Sequence, residues 1–212
     1  MITNVSEAIQ LAVLIACFVL ALLRALRAHN AAWLSIVCFF ACMLLGNIYY
    51  FGFLVVFGDS PQYSYIADLS WIAGYIFLLM LMVECDQRRG LTAPIPLAWI
   101  PVVIGAVCCV YYIFANGYPL LNIVDNGLVA ALGFFAVRGL VARPDEGSGN
   151  GLASNRLLHV AVLAFFIVEE GLWLSSMIPD PSGEYAIYSI VNYALTLSYA
   201  AILACAWRSR DL

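Results

Sequence analysis

The sequence predicts an all-α membrane protein with seven transmembrane helices, and three observations predict it. Apolar residues make up 65% of the 212-residue chain and charged residues only 10%, a balance foreign to ordinary soluble domains. Apolar runs of about 20 residues, enough to cross a hydrocarbon core of roughly 30 Å, recur from end to end. All nine basic residues are arginines, and they gather at one end of these runs: Arg24, Arg27, Arg88, Arg89, Arg138, Arg143, Arg156, Arg208 and Arg210. The runs are read as helices because a lone span must satisfy its own backbone hydrogen bonds.

The first span covers 8–26 and ends at Arg24 and Arg27. The preceding Met1 to Glu7 lacks the basic stretch of a signal peptide. The second, 32–57, is closed by Asp59-Ser60-Pro61. The third, 66–84, runs out before Arg88-Arg89. Pro94 and Pro96 precede the fourth, 97–115. Asn116-Gly117-Tyr118-Pro119 is a tight turn into the fifth, 119–140. The connection from Pro144 to Asn155 is rich in Gly and Ser and reads as mobile. Ser154 or Asn155 is placed to cap the sixth span, 157–178. Pro179-Asp180-Pro181-Ser182-Gly183 separates it from the seventh, 185–207. Residues 1–212 thus form one transmembrane domain. Arginine in short loops marks the cytoplasmic side, so the N-terminus lies outside and the C-terminus in the cytoplasm, as for an inner or plasma membrane protein.

The first three spans resemble the last three. Leu22-Leu23-Arg24-Ala25-Leu26 is similar to Ala136-Val137-Arg138-Gly139-Leu140, and the spacing from Asn47 to Asp68 nearly equals that from Glu170 to Asn192. The pattern suggests parallel halves, 8–84 and 119–207, linked by the helix at 97–115. Parallel repeats of this kind occur in some transporters.

Polar residues recur at similar depth in the outer half of five spans: Asn47, Asp68, Asp125 with Asn126, Glu169 with Glu170, and Asn192. A charge at mid-membrane costs about 2.5–3.5 kcal/mol on insertion scales and usually faces a bundle interior or water. No arginine shares this depth, so the carboxyls are protonated, hydrated or bound to a cation. Aromatics share their faces at helical spacing: Trp71 and Tyr75 with Asp68, Tyr188 and Tyr199 with Asn192, Tyr50 with Asn47, and Trp173 with Glu170. A carboxylate in an aromatic surround suits a small, possibly cationic, ligand. The plain counter-reading is interfacial aromatics and interhelical hydrogen bonds.

Other chemistries find no residues. The two histidines, His29 and His159, lie in different segments, which leaves no three-histidine zinc set and no paired haem ligands. No lysine is present for retinal, and no nucleophile elbow or phosphate-binding loop appears. No cofactor is expected. Glu169 and Glu170, as neighbours in a helix, diverge by about 100°, so a paired-carboxylate enzyme is not expected either. The seven cysteines read as small apolar helix residues, Gly127 and Ala131 as a close-packing pair, and Glu84 and Asp86 as local ion pairs with Arg88 and Arg89. The absence of a basic patch with interleaved aromatics argues against nucleic acid. Anionic lipid head groups are the expected partners of the arginine loops.

The segment Leu45 to Tyr50, a short loop containing Pro61, and Ile66 to Tyr75 together resemble the multi-helix membrane sensor regions that precede bacterial diguanylate cyclase (GGDEF) domains. Glu169 to Tyr193 resembles the late hairpin of those regions, and Asn47, Asp68 and Gly74 match the recurring pattern. The resemblance implies a bacterial inner-membrane sensory module with an outward-facing input site. The sequence stops at Leu212 without an output domain, so the expectation is a stand-alone module acting on a separate cytoplasmic partner.

Overall fold

The computed structural model describes residues 2–58, 65–88, 95–141, 151–178 and 186–209, and among them are seven helices long and apolar enough to cross a membrane. They are α1 (Ile2–Ala28), α2 (Ala31–Phe57), α3 (Tyr65–Arg88), α4 (Trp99–Asn116), α5 (Pro119–Val141), α6 (Gly151–Ser176) and α7 (Ala186–Arg208). A 3-10 turn, Pro96–Ala98, leads into α4. The connections at Asp59-Ser60-Pro61 and Pro179 to Gly183, together with Pro94, Arg89, Arg143 and Arg210, lie outside the described residues.

Local chemistry sets the helix ends. Asn30 caps α2, its side chain accepting from the Trp33 N–H at 2.9 Å. Gly58 closes α2 at φ 74°, and its N–H donates to the Leu54 carbonyl. Gly117, at φ 76°, turns the chain from α4 into α5. Two boundaries differ from the sequence reading. α1 begins at Ile2 rather than at 8, which makes Glu7 part of a spanning helix. α6 begins at Gly151, so Ser154 and Asn155 lie inside the helix and do not cap it. In both cases a polar first turn continues an apolar helix, and hydropathy cannot see it.

Six helices close a ring. α1 packs on α2 and α7, α2 on α3, α3 on α5, α5 on α6, and α6 on α7; α4 packs chiefly on α5. α1 and α7 run parallel, since Glu7 meets Tyr188 near their starts while Arg24 lies over the Trp207 ring near their ends. The middle of the ring is filled by aromatic side chains from four helices: Phe39 of α2, Tyr75 of α3, Phe165 of α6 and Tyr199 of α7, all buried. Phe165 lies with ring centroids 6.1 Å from Phe39, 6.0 Å from Tyr75 and 5.8 Å from Tyr199. The outer faces are also apolar, with Leu34, Val56, Leu69, Val103, Phe114 and Leu197 exposed, as expected of helices that meet lipid.

Small residues set the closest approaches. A Cβ on Gly105 would come within 2.7 Å of Ala130, and one on Gly133 within 2.6 Å of Pro101, so α4 and α5 touch nearly backbone to backbone there. Gly127 has no neighbour within 4 Å of that position. It lines an open apolar groove between the two helices instead of packing them together.

Candidate functional site

α3 presents Asp68, Trp71 and Tyr75 along one face. Asp68 and Tyr75 are buried and Trp71 is partly so. The Trp71 indole lies where a Cβ on Gly46 would sit, at 2.5 Å, and Met43 closes on Gly74 in the same way, at 2.9 Å. These two glycines bring α2 against α3 and aim Tyr75 across the bundle. The Tyr75 hydroxyl donates a hydrogen bond to Oε1 of Glu169, on α6. Glu169 is 5% exposed, and its second oxygen, Oε2, has no hydrogen-bond partner among the described residues. Phe165, one turn earlier on α6, floors the pair toward the arginine-bearing end.

The neighbours of this carboxyl are acidic. Asp125 of α5 is partly buried and lies within electrostatic reach of Glu169, Asp68 and Glu170. Arg138 follows Asp125 on the same helix by about 20 Å of helical rise. Carboxyls of two other helices, α3 and α6, therefore act on Asp125 electrostatically, and the residues acting on it include no cation. A buried charge of this kind is held only if it is neutralised or paired, so the cluster is suited to take up a proton or a cation.

Glu170 points elsewhere, as adjacent helix positions must. The Tyr112 hydroxyl, on α4, lies 3.2 Å from both its Oε2 and its backbone carbonyl, and the Cys108 thiol also bonds the carboxyl. Trp173 lies with its ring centroid 6.4 Å from that of Tyr112. Glu170 thus ties α4 to α6.

A third cluster joins α1 to α7 and was not anticipated in full. Glu7, 3% exposed, accepts from the Tyr188 hydroxyl at 3.0 Å and from Nδ2 of Asn192 at 3.2 Å. Ser6, whose Oγ lies 3.5 Å from Asn192 Nδ2, is buried there, and Gln10 and Ser189 are buried on the same two helices. The signal was present in the sequence: Glu7, Gln10, Leu14, Cys17 and Ala21 follow one helical stripe, and all are buried. Starting the first span at 8 concealed it.

Nine of the ten candidate residues therefore divide among three places. Asp68, Trp71, Tyr75, Asp125 and Glu169 belong to the central group, Glu170 and Trp173 to the α4–α6 contact, and Tyr188 and Asn192 to the α1–α7 contact. Asn47 donates to the Met43 carbonyl of its own helix at 2.9 Å. Asn126 likewise donates to Asn122 at 2.9 Å.

At the opposite end the arginines meet protein groups. Arg138 Nε lies 3.4 Å from Asp86 Oδ2, so Asp86 reaches across to α5 for its ion pair. Arg24 sits 5.7 Å from the Trp33 ring centroid and 5.4 Å from that of Trp207. His159 is fully buried, its ring occupying the space a side chain on Gly139 would need. The described cysteines are free. No group of three or more His, Cys, Asp or Glu able to hold a metal ion occurs among the described residues.

No family model, curated protein or solved structure matches the chain. The likeness to cyclase sensor regions thus rests on its short motifs alone.

Proposed function

We propose that the chain is a small membrane carrier that binds a proton or small cation between two parallel three-helix halves. The observation that carries this reading is the Tyr75–Glu169 hydrogen bond, which joins α3 of one half to α6 of the other inside an acidic cluster.

Packing supports the two halves. Exchanging α1, α2, α3 with α5, α6, α7 maps α1–α2 onto α5–α6, α2–α3 onto α6–α7, and α1–α7 onto α5–α3, and all six contacts occur. The contacts favour a register different from the one that pairs Asn47 with Glu170. Adding 126 to α2 positions pairs Trp33 with His159, Phe39 with Phe165, Phe40 with Phe166 and Met43 with Glu169; all eight are buried. In α3 the offset is 124, as from Asp68 to Asn192, and Tyr75 corresponds to Tyr199, whose hydroxyl faces the Met43 sulfur at 3.8 Å. The same tyrosine contact is made twice, once to a thioether and once to a carboxyl. Parallel repeats with a binding site at their interface are a carrier arrangement.

The test is flux. Purified protein in liposomes loaded with a pH-reporting dye is given gradients of sodium, potassium or tetramethylammonium. The reading expects cation or proton movement that disappears in Glu169→Gln; no movement of any of these ions would count against it. The second reading is the stand-alone sensor in a bacterial inner membrane, favoured by the sequence likeness and by arginines gathered toward a cytoplasmic partner and anionic lipid. It expects the same cations to raise the melting temperature through Glu169 without any flux.

A further inference from the structure

We propose that Glu7, Ser189 and Asn192 form a second site, at the α1–α7 contact, for a small monovalent cation. Three observations meet there. The first is charge: Glu7 is a buried carboxyl on the opposite side of the ring from Asp125 and Asp68, and its Oε1 is approached by Tyr188 and Asn192. Arg24, the next basic residue on its helix, lies about 25 Å further along.

The second is a set of unspent oxygens. The amide nitrogen of Asn192 is committed to Glu7, at 3.2 Å, and to Ser6 Oγ, at 3.5 Å. Its Oδ1 has no hydrogen-bond partner among the described residues, and neither does Ser189 Oγ. Both residues are only 1% exposed, and they lie three positions apart on one face of α7. Most buried side-chain polar atoms find partners, so two orphaned oxygens on the α7 face whose Asn192 meets the buried Glu7 carboxyl call for a donor or a cation.

The third is donor chemistry. A carboxyl, an amide carbonyl and a hydroxyl are hard oxygen ligands, which favour alkali or similar hard cations over soft metals. One carboxyl balances one positive charge, which fits sodium, lithium, potassium or ammonium better than a divalent ion. The Thr196 hydroxyl donates to the Asn192 backbone carbonyl of its own helix at 2.8 Å. This site stands whether or not the central pair carries a solute.

The test is thermal unfolding of the detergent-purified full chain at constant ionic strength. Choline chloride is replaced in turn by the chlorides of sodium, lithium, potassium and ammonium. At least one should raise the melting temperature by about 3–5 °C at saturation. The rise should persist in Glu169→Gln, which touches only the central site, and should vanish in Ser189→Ala and Glu7→Gln. If Glu7→Gln fails to fold, Ser189→Ala alone decides. Which ion acts separates an alkali site from an ammonium site, and either result supports the proposal. No ion-specific rise, or a rise undiminished in Ser189→Ala, overturns it. A rise lost in Glu169→Gln but kept in Ser189→Ala would move the cation to the central cluster and overturn this site alone.

Discussion

Arg138 on α5 and Asp86 on α3 form an ion pair of 3.4 Å near the ends of two parallel helices, with 20% and 6% of their side chains exposed. The side chains of Arg88 and Arg89, the partners expected of Asp86 by sequence, lie outside the described residues. The Asp86–Arg138 pair bridges the two proposed halves, at the same end as Arg24 and its two tryptophans. It is one of the polar ties through which α3 and α5 hold to each other.

Asp86→Asn should therefore destabilise the protein by about 2–3 kcal/mol, the lower part of the range for breaking a buried pair, because Arg138 keeps partial contact with solvent. Arg138→Gln should cost a similar amount, and the double variant less than the sum. Denaturant unfolding in mixed micelles measures all three. Additive losses would show that the two groups do not act on each other.

Two glycines on the same helix should respond in opposite ways to alanine. A methyl on Gly139 would meet the His159 ring at 2.0 Å, and overpacking of this kind costs about 1–3 kcal/mol. Gly127 has open space at that position, and a helical Gly→Ala change there should stabilise by up to about 1 kcal/mol. Melting temperatures of the two single variants decide the matter by their sign alone.

Arginine placement makes a prediction about the membrane itself. A fluorescent protein fused after Leu212 should fold and fluoresce, and alkaline phosphatase at the same place should be inactive, because that end is expected in the cytoplasm. Phosphatase fused after Gly58, which ends α2 at the opposite face, should be active. The reverse pattern would place the carboxyl clusters nearer the cytoplasm.

The number and approximate bounds of the spans were legible because lipid imposes length and apolarity on every segment. Faces were legible where one helix carries several large polar or aromatic groups, as with Asp68, Trp71 and Tyr75. Partnership was not. Nothing within α7 reveals that Asn192 turns to Glu7 and not to the centre, or that Asn47 spends its amide on its own helix. Those choices depend on which helices become neighbours in the ring, a property of the whole chain. Glu7 was missed for a local reason: an acidic residue at the edge of an apolar run looks like the end of a span. Its burial becomes visible only with the stripe that continues through Gln10 and Leu14.

The sharpest stability test compares the two tyrosines that the proposed repeat makes equivalent. Tyr75→Phe removes the hydroxyl that bonds the buried Glu169 carboxyl. It should cost about 1.5–3 kcal/mol, the range for a hydrogen bond to a charged group, or about 1 kcal/mol if that carboxyl is neutral. Tyr199→Phe removes only a contact to the Met43 sulfur at 3.8 Å, a weak acceptor, and should cost well under about 1 kcal/mol. Glu169→Leu alone strands the Tyr75 hydroxyl. Combining it with Tyr75→Phe removes both polar partners together, which leaves little further penalty. Unfolding free energies of these four variants, with Tyr199→Phe combined with Glu169→Leu as a fifth, close two cycles. A coupling of about 1–3 kcal/mol between Tyr75 and Glu169, with none between Tyr199 and Glu169, is the expected result. Equal costs for Tyr75→Phe and Tyr199→Phe would show that the cross-bundle bond is not what holds Glu169 in place, and the carboxyl would then depend on Asp68 and Asp125 for its setting.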